Sequence, residues 1–259
     1  MQEQALKYTG SIDVWINNAG IFDVLPEGTR LPPDVEKAVY QLNYQAAIDG
    51  TQFAFACMGN QRLGGTIINM GTLMADYRLQ NVAKEPSYYI KSKRDLMKET
   101  QKIAEQIEKL NKQREIEGKS PIKIYVAMPE SVDTPFYHHA INYTKAELIP
   151  PSPVLSPEAV ARKLVELVER NPQDILQPIG ILAKLTHATA KNPLVSKFFA
   201  HYIDSSEKNL TQHMPHSLGI LYKSTEIFDE EVKKKGLEHV DTSVPLLEIK
   251  EDIKAPAPQ

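Results

Sequence analysis

Tyr89 and Lys93 stand four residues apart in the run Tyr89-Ile90-Lys91-Ser92-Lys93. On a helix that spacing sets both side chains on one face, one turn apart. A tyrosine hydroxyl in isolation titrates near pH ~10, too high for easy proton exchange at neutrality. A neighbouring ammonium favours the phenolate and lowers that value. The pair is therefore suited to passing a proton to or from the oxygen of a carbonyl or alcohol, with a hydride exchanged on the other side. Taken alone, Tyr-x-x-x-Lys is a frequent chance pattern, equally well read as a packed aromatic beside a solvated lysine.

The elements that must position such a pair can be read along the chain. Ile12 to Ile16 is apolar at nearly every position, the pattern of a parallel strand covered on both faces, and it runs into Asn17-Asn18-Ala19-Gly20. Residues 1 to 9 read as the tail of a helix closed at Gly10. Pro32-Pro33-Asp34 opens a helix expected from about Val35 to Cys57, with Val39, Leu42 and Ala46 on one stripe. Further strands are expected at Thr66 to Met70, Ile122 to Ala127 and Ile175 to Ile179, the last interrupted by Pro178. A helix expected from Pro86 carries Ile103, Ile107 and Leu110 on its apolar face, and Ser156-Pro157-Glu158 starts another, with serine as cap. Strands alternating with helices predict an α/β fold with a doubly wound parallel sheet.

The turn Asn17-Asn18-Ala19-Gly20 after its strand, followed about seventy residues later by Tyr89 and Lys93, resembles the short-chain dehydrogenase/reductase family, whose members reduce carbonyls or oxidise alcohols with NAD(P)(H). The pattern recurs in order over roughly residues 10 to 170. The resemblance implies a Rossmann-like sheet and a site assembled residue by residue. Tyr89 becomes the general acid/base, and Lys93 also holds the nicotinamide ribose. Asn43, in Gln-Leu-Asn43-Tyr, takes the place of the helix asparagine with a structural and proton-relay role; a polar group satisfying nearby backbone is the plainer reading. Thr72, in Asn69-Met70-Gly71-Thr72, takes the place of the catalytic serine, though its separation from Tyr89 requires an insertion. Asn18, Ala19 and Gly20, with Pro129, Val132 and Thr134, are implied cofactor contacts, Glu130 replacing the glycine usual after the proline. Residues 135–153, with Phe136, Tyr137 and Tyr143, would form a substrate lid whose aromatics suit an apolar small molecule.

The same resemblance implies an N-terminally incomplete fold. In the family a glycine-rich cofactor loop lies well ahead of the Asn-Asn-Ala-Gly turn, whereas only sixteen residues precede it here and no Gly-x-x-x-Gly-x-Gly run exists in the chain. The expectation is a sequence whose start is internal to a longer enzyme, poorly soluble as written and weak in NAD(P)H binding. The choice between NAD and NADP cannot be read. The alternative is a non-catalytic remnant acting in binding or assembly. The expected organisation is a partial Rossmann-like domain over residues 1–180, a helical C-terminal extension over 181–225, and a charged tail over 226–259.

Composition narrows the function classes. A net charge of −3 gives no basic footprint, so nucleic acid is not an expected partner. No run of about 18 apolar residues exists, so no transmembrane helix is expected. The single cysteine, Cys57, allows no intramolecular disulfide, which fits a reducing, cytoplasmic setting. No metal site is expected: His213 and His216 lack partners at ligand spacing, and His138 and His139 are expected at the surface. The expected partner is a small-molecule substrate, and a homo-oligomer is compatible with all of this.

Overall fold

The computed structural model describes residues 10–26, 28–76, 87–144, 148–189 and the short strand Ser217–Leu218. Its centre is a four-stranded parallel sheet in the order β1 (Val14–Asn17), β3 (Gly65–Met70), β4 (Ile122–Pro129), β8 (Leu176–Ile179). Pairing is in continuous register, with Trp15 beside Ile67 and Ile67 beside Ile124. The fold is the expected doubly wound, Rossmann-like α/β arrangement.

Helices cover both faces of this sheet. α1 (Pro33–Tyr40), a π-helical turn (Gln41–Gln45) and α2 (Ala46–Asn60) connect β1 to β3, and α3 (Tyr88–Ile116) connects β3 to β4. α2 and α3 bury Ala47, Ile48, Met58, Leu96, Ile103 and Ile107 against Ile67, Ile122 and Ile124. On the opposite face α4 (Pro157–Arg170) packs Val160 and Leu167 on Ile68, Tyr125, Ala127 and Ile179. Ser156 caps α4 as expected, accepting from the Ala159 N–H, and Asn171 closes it in the left-handed conformation at φ 50°. α5 (Ile181–Thr189) follows β8.

Three local expectations are corrected. The helix expected to run unbroken from Val35 carries the π turn, which inserts one residue and rotates the apolar stripe. Ala46 is consequently exposed and Ala47 buried, while Asn43 is swung into the interior. The helix expected from Pro86 is capped by Ser87, whose hydroxyl accepts from Ile90, and Pro86 itself lies outside the described residues. Among the described residues β1 is covered on one face only. Trp15 packs on Phe53, with ring centroids 5.5 Å apart, but Val14 and Ile16 are 39% and 44% exposed because α4 does not reach this edge of the sheet.

A polar ladder ties the sheet to the helices. The Trp15 indole N–H donates to Asn17 Oδ1 at 2.8 Å, and Asn17 Nδ2 donates to Asn69 Oδ1 at 2.7 Å and to Thr51 Oγ1 at 3.1 Å. Asn69 Nδ2 in turn donates to Thr100 Oγ1 on α3 at 2.9 Å. Such satisfied networks favour one arrangement of the core. Gly50 permits the approach of α2 to β1, since a Cβ there would collide with Asn17 Oδ1. Gly50→Ala is expected to lower unfolding stability by about 2 kcal/mol through this overpacking, read from the urea midpoint.

The helix expected over residues 1–9 falls outside the described residues, as do most of the extension, the tail, and His213 and His216. Among the described residues no helix is long and apolar enough to cross a membrane, and no group of three metal-ligating side chains occurs.

Candidate active site

The carboxyl ends of β1, β3 and β4 open onto one region, the end of a parallel sheet where crevices form. From β1 the chain passes through Asn18 and Ala19, both exposed, to Gly20, where a Cβ would stand 3.2 Å from Asn43 Oδ1 and 3.4 Å from Lys93 Nζ. From β3 it passes through Gly71 to Thr72, which is 8% exposed and starts a single 3-10 turn, Leu73–Ala75. From β4 it leaves through Pro129 into β5 (Ser131–Val132).

Tyr89 and Lys93 occupy the first turns of α3 and share the expected face. The Thr72 hydroxyl lies close enough to the Tyr89 phenol to favour its ionised form. Thr72 and Tyr89 thus meet despite the longer gap between them, whose residues 77–86 lie outside the described part. Lys93, 2% exposed, donates from Nζ to the Met70 carbonyl at 2.8 Å and lies 6.0 Å from the Tyr89 ring centroid. Burial pushes its amine down to about 8.

One electrostatic expectation is overturned. The Lys93 ammonium is directed at the end of β3, where it donates to the Met70 carbonyl. Burial dominates and pushes the phenol above its ordinary value, with Tyr137 and Asp23 adding to the effect and the Thr72 hydroxyl opposing it.

Asn43 is fully buried, and its amide is committed to one neighbour. Oδ1 accepts from the Ile21 N–H at 2.8 Å and Nδ2 donates to the Ile21 carbonyl at 2.9 Å. This is the backbone-satisfying reading of that asparagine, and it fixes the chain just beyond Gly20.

The segment after β5 folds over the phenol. Phe136 lies 5.7 Å from the Tyr89 ring, and Phe22 stands edge-on to it at 5.2 Å. Tyr137 packs on both phenylalanines at 6.0 Å, with its hydroxyl near Ser131. The segment is anchored where it begins and ends, as β5 pairs with β7 (Val154–Leu155). It is anchored again in the middle, where β6 (Ile141–Asn142) pairs with β2 (Asp23–Val24). His138 is exposed as expected, but His139 is 6% exposed, because adjacent side chains point opposite ways and this one turns inward. Val132 and Thr134 are half-buried. Glu130 has a structural use: its carboxylate accepts from the Ala183 N–H at 3.0 Å and lies against Gly180, docking the start of α5.

Sequence reasoning missed Phe22 and Asp23. Asp23 is fully buried, and its oxygens accept from the backbone N–H groups of Tyr88 at 3.1 Å and Tyr89 at 2.6 Å. The available signal was a lone acid inside the apolar run Ile21-Phe22-Asp23-Val24-Leu25.

With this geometry in hand, comparison with known proteins is decisive for the family. Residues 1–142 match the model of the short chain dehydrogenase family, and the chain belongs to that family. An uncharacterized oxidoreductase of Bacillus subtilis (strain 168), YxnA, is 25% identical over 218 residues, covering 83% of this chain and 55% of its own length. The chain therefore spans about half the length of that curated relative. Among solved structures, a short chain dehydrogenase from Burkholderia cenocepacia J2315, in complex with NADP, superposes with TM-score 0.55 at 19% identity, over 78% of this chain and 73% of that one. Acetoin dehydrogenase from Enterobacter cloacae does so with TM-score 0.51 at 21% identity, over 68% and 65%. At these identities the structural likeness establishes the fold.

Proposed function

We propose that the protein is an NAD(P)-dependent oxidoreductase interconverting a carbonyl and an alcohol on an apolar small molecule, with Tyr89 carrying the proton. The observation that carries this reading is the Tyr89 phenol, close to the Thr72 hydroxyl and packed among Phe22, Phe136 and Tyr137 at the carboxyl end of the sheet. In reduction, the Thr72 hydroxyl and the Tyr89 hydroxyl both donate to the substrate oxygen, and Tyr89 releases its proton as negative charge develops there. A phenol held above its ordinary value is protonated at neutral pH and ready to act as that acid. The three aromatic rings exclude water and favour an apolar substituent on the carbonyl carbon. Asn43 acts as a brace, holding Ile21 and through it the turn at Gly20.

The residues fit the nicotinamide-ribose end of a dinucleotide. Gly20 presents bare backbone beside Asn43 Oδ1 and the buried Lys93 amine, a cradle that a Cβ would fill. Lys93, Asn18, Ala19, Gly20, Pro129, Val132 and Thr134 would hold that end. When bound, such a group supplies or accepts the hydride. The 259 residues contain no glycine-rich run for the pyrophosphate, and the reading makes no choice between NAD and NADP. It places the protein in the cytoplasm, in keeping with its single cysteine.

The test is turnover of apolar ketones by the full chain with NADH or NADPH, set beside Thr72→Val and Thr72→Ser. Serine keeps the hydroxyl donor and should retain most activity, whereas valine should lower kcat about 100-fold. Equal loss in both variants would remove Thr72 from the reading, and no reduction of any ketone by the parent chain would remove the reading itself.

A further inference from the structure

We propose that Asp23 is the positioning residue for the Tyr89 phenol: its buried carboxylate, reaching from β2, anchors the first turn of α3 and so sets the location of that hydroxyl. This rests on the reading of Tyr89 as the proton carrier.

The four leading N–H groups of α3 are all accounted for, and they divide unequally. Ser87, the local cap, takes Ile90 through its hydroxyl at 3.2 Å and Lys91 through its carbonyl at 3.0 Å. The other two, on Tyr88 and Tyr89, are held by Asp23 from more than sixty residues away. A serine cap is sufficient to start a helix, and water can serve the remaining donors. Here they are served instead by a fully buried carboxylate that forms no salt bridge among the described residues. Burying an unpaired carboxylate is unfavourable, and the positive end of a helix offsets it only in part.

Two further contacts converge on the same residue. Phe22, next to Asp23, meets the Tyr89 ring edge-on at 5.2 Å, so that both backbone and ring of Tyr89 are referenced to this one strand. β2 is itself fixed by β6, where Asp23 pairs with Ile141 and Val24 with Asn142. The carboxylate also acts on the phenol through space, raising its proton affinity.

The proton equilibrium of Asp23 has simple surroundings. Burial pushes it up to about 6, opposed by the N–H groups of Tyr89 and Tyr88 and its own. From α3 the titratable groups facing it are the Tyr88 and Tyr89 phenols, and Ile141 and Asn142 of β6 are uncharged. Glu36 of α1, with Arg30 ahead of that helix, acts on the Tyr88 phenol. Above about pH 6 the carboxylate is charged and grips both N–H groups; as pH falls through that value it protonates and the grip weakens.

The test uses backbone amide exchange in the full chain, resolved by NMR and corrected for intrinsic rates, together with kcat and KM for ketone reduction. Tyr88 and Tyr89 should exchange about tenfold faster in Asp23→Asn and Asp23→Ala, with Thr100 unchanged. The parent chain should show the same selective loosening between pH 7 and pH 5, a comparison that stands even where a variant fails to fold. In Asp23→Asn, kcat for ketone reduction at pH 7 should also fall about tenfold with KM unchanged, because a displaced phenol is felt at the proton transfer and not in substrate binding. Unchanged exchange at Tyr88 and Tyr89 across the parent's pH series would overturn the anchoring. Loosened amides with an unchanged kcat would overturn the positioning of the phenol. If the parent chain turns over no carbonyl, the functional reading fails while the exchange series still decides the anchoring.

Discussion

Replacing Tyr89 with phenylalanine is expected to lower kcat about 1,000-fold and to leave the fold unchanged. The variant keeps the ring and its contacts with Phe22 and Phe136 and removes only the hydroxyl beside Thr72. Lost turnover is then attributable to the proton carrier, provided that thermal unfolding of the two proteins coincides. The raised proton affinity of this phenol also fixes the sense of the pH dependence. The acid form prevails at neutrality, so carbonyl reduction should be nearly flat from pH 6 to about 8. Alcohol oxidation needs the phenolate and should climb with pH, with no plateau at the ordinary phenol value near ~10. Lys93 adds a second trend, because its positive charge is lost as pH rises through about 8. An active Tyr89→Phe variant, or an oxidation rate that levels off near neutrality, would contradict this account of the phenol.

The largest expected effect on stability lies far from the site, at Arg114. This side chain is 1% exposed and directs its guanidinium at backbone carbonyls alone. Nε donates to Ser120 at 2.8 Å, Nη1 to Gly59 at 2.7 Å and to Met58 at 3.2 Å, and Nη2 to Gln61 at 2.8 Å. It thereby closes the carboxyl end of α2 and joins it to the turn after α3, where the negative end of a helix favours a cation. Arg114→Ala leaves these acceptors without their donor and should destabilise the protein by about 3 kcal/mol, seen as a lower urea midpoint at unchanged slope. Lysine at this position should recover only part of the loss, since an ammonium cannot reproduce the forked donor geometry. A midpoint unchanged in the alanine variant would show that water replaces the guanidinium at no cost.

These two residues show what was legible in the chain. Tyr89 and Lys93 were found because their relation is local: four residues on one helix fix a common face whatever the rest of the fold does. The strand leading to Asn17 and the cap at Ser156 were legible for the same reason. Thr72 needed the resemblance, as its approach to Tyr89 joins the end of β3 to the start of α3, which no local periodicity reports. Asp23 and Arg114 were invisible because each acts on backbone groups distant in sequence, and backbone donors and acceptors leave no trace in residue type. The π turn at Gln41–Gln45 escaped because its effect is a one-residue shift of an apolar stripe, and alanine at both 46 and 47 conceals that shift. The direction of the Lys93 amine, towards Met70 and not the phenol, follows from packing at the end of β3.

The central claim is that this chain moves a proton through Tyr89 while a hydride passes between a nicotinamide and a carbonyl carbon. The most direct measurement is mass analysis of the alcohol formed from an apolar ketone with NADH or NADPH deuterated at the transferable position. Each turnover should place one deuterium on the carbinol carbon and one solvent proton on its oxygen, in the parent chain and not in Tyr89→Phe. Absence of labelled alcohol from the parent chain, or equal label from both proteins, would contradict the account.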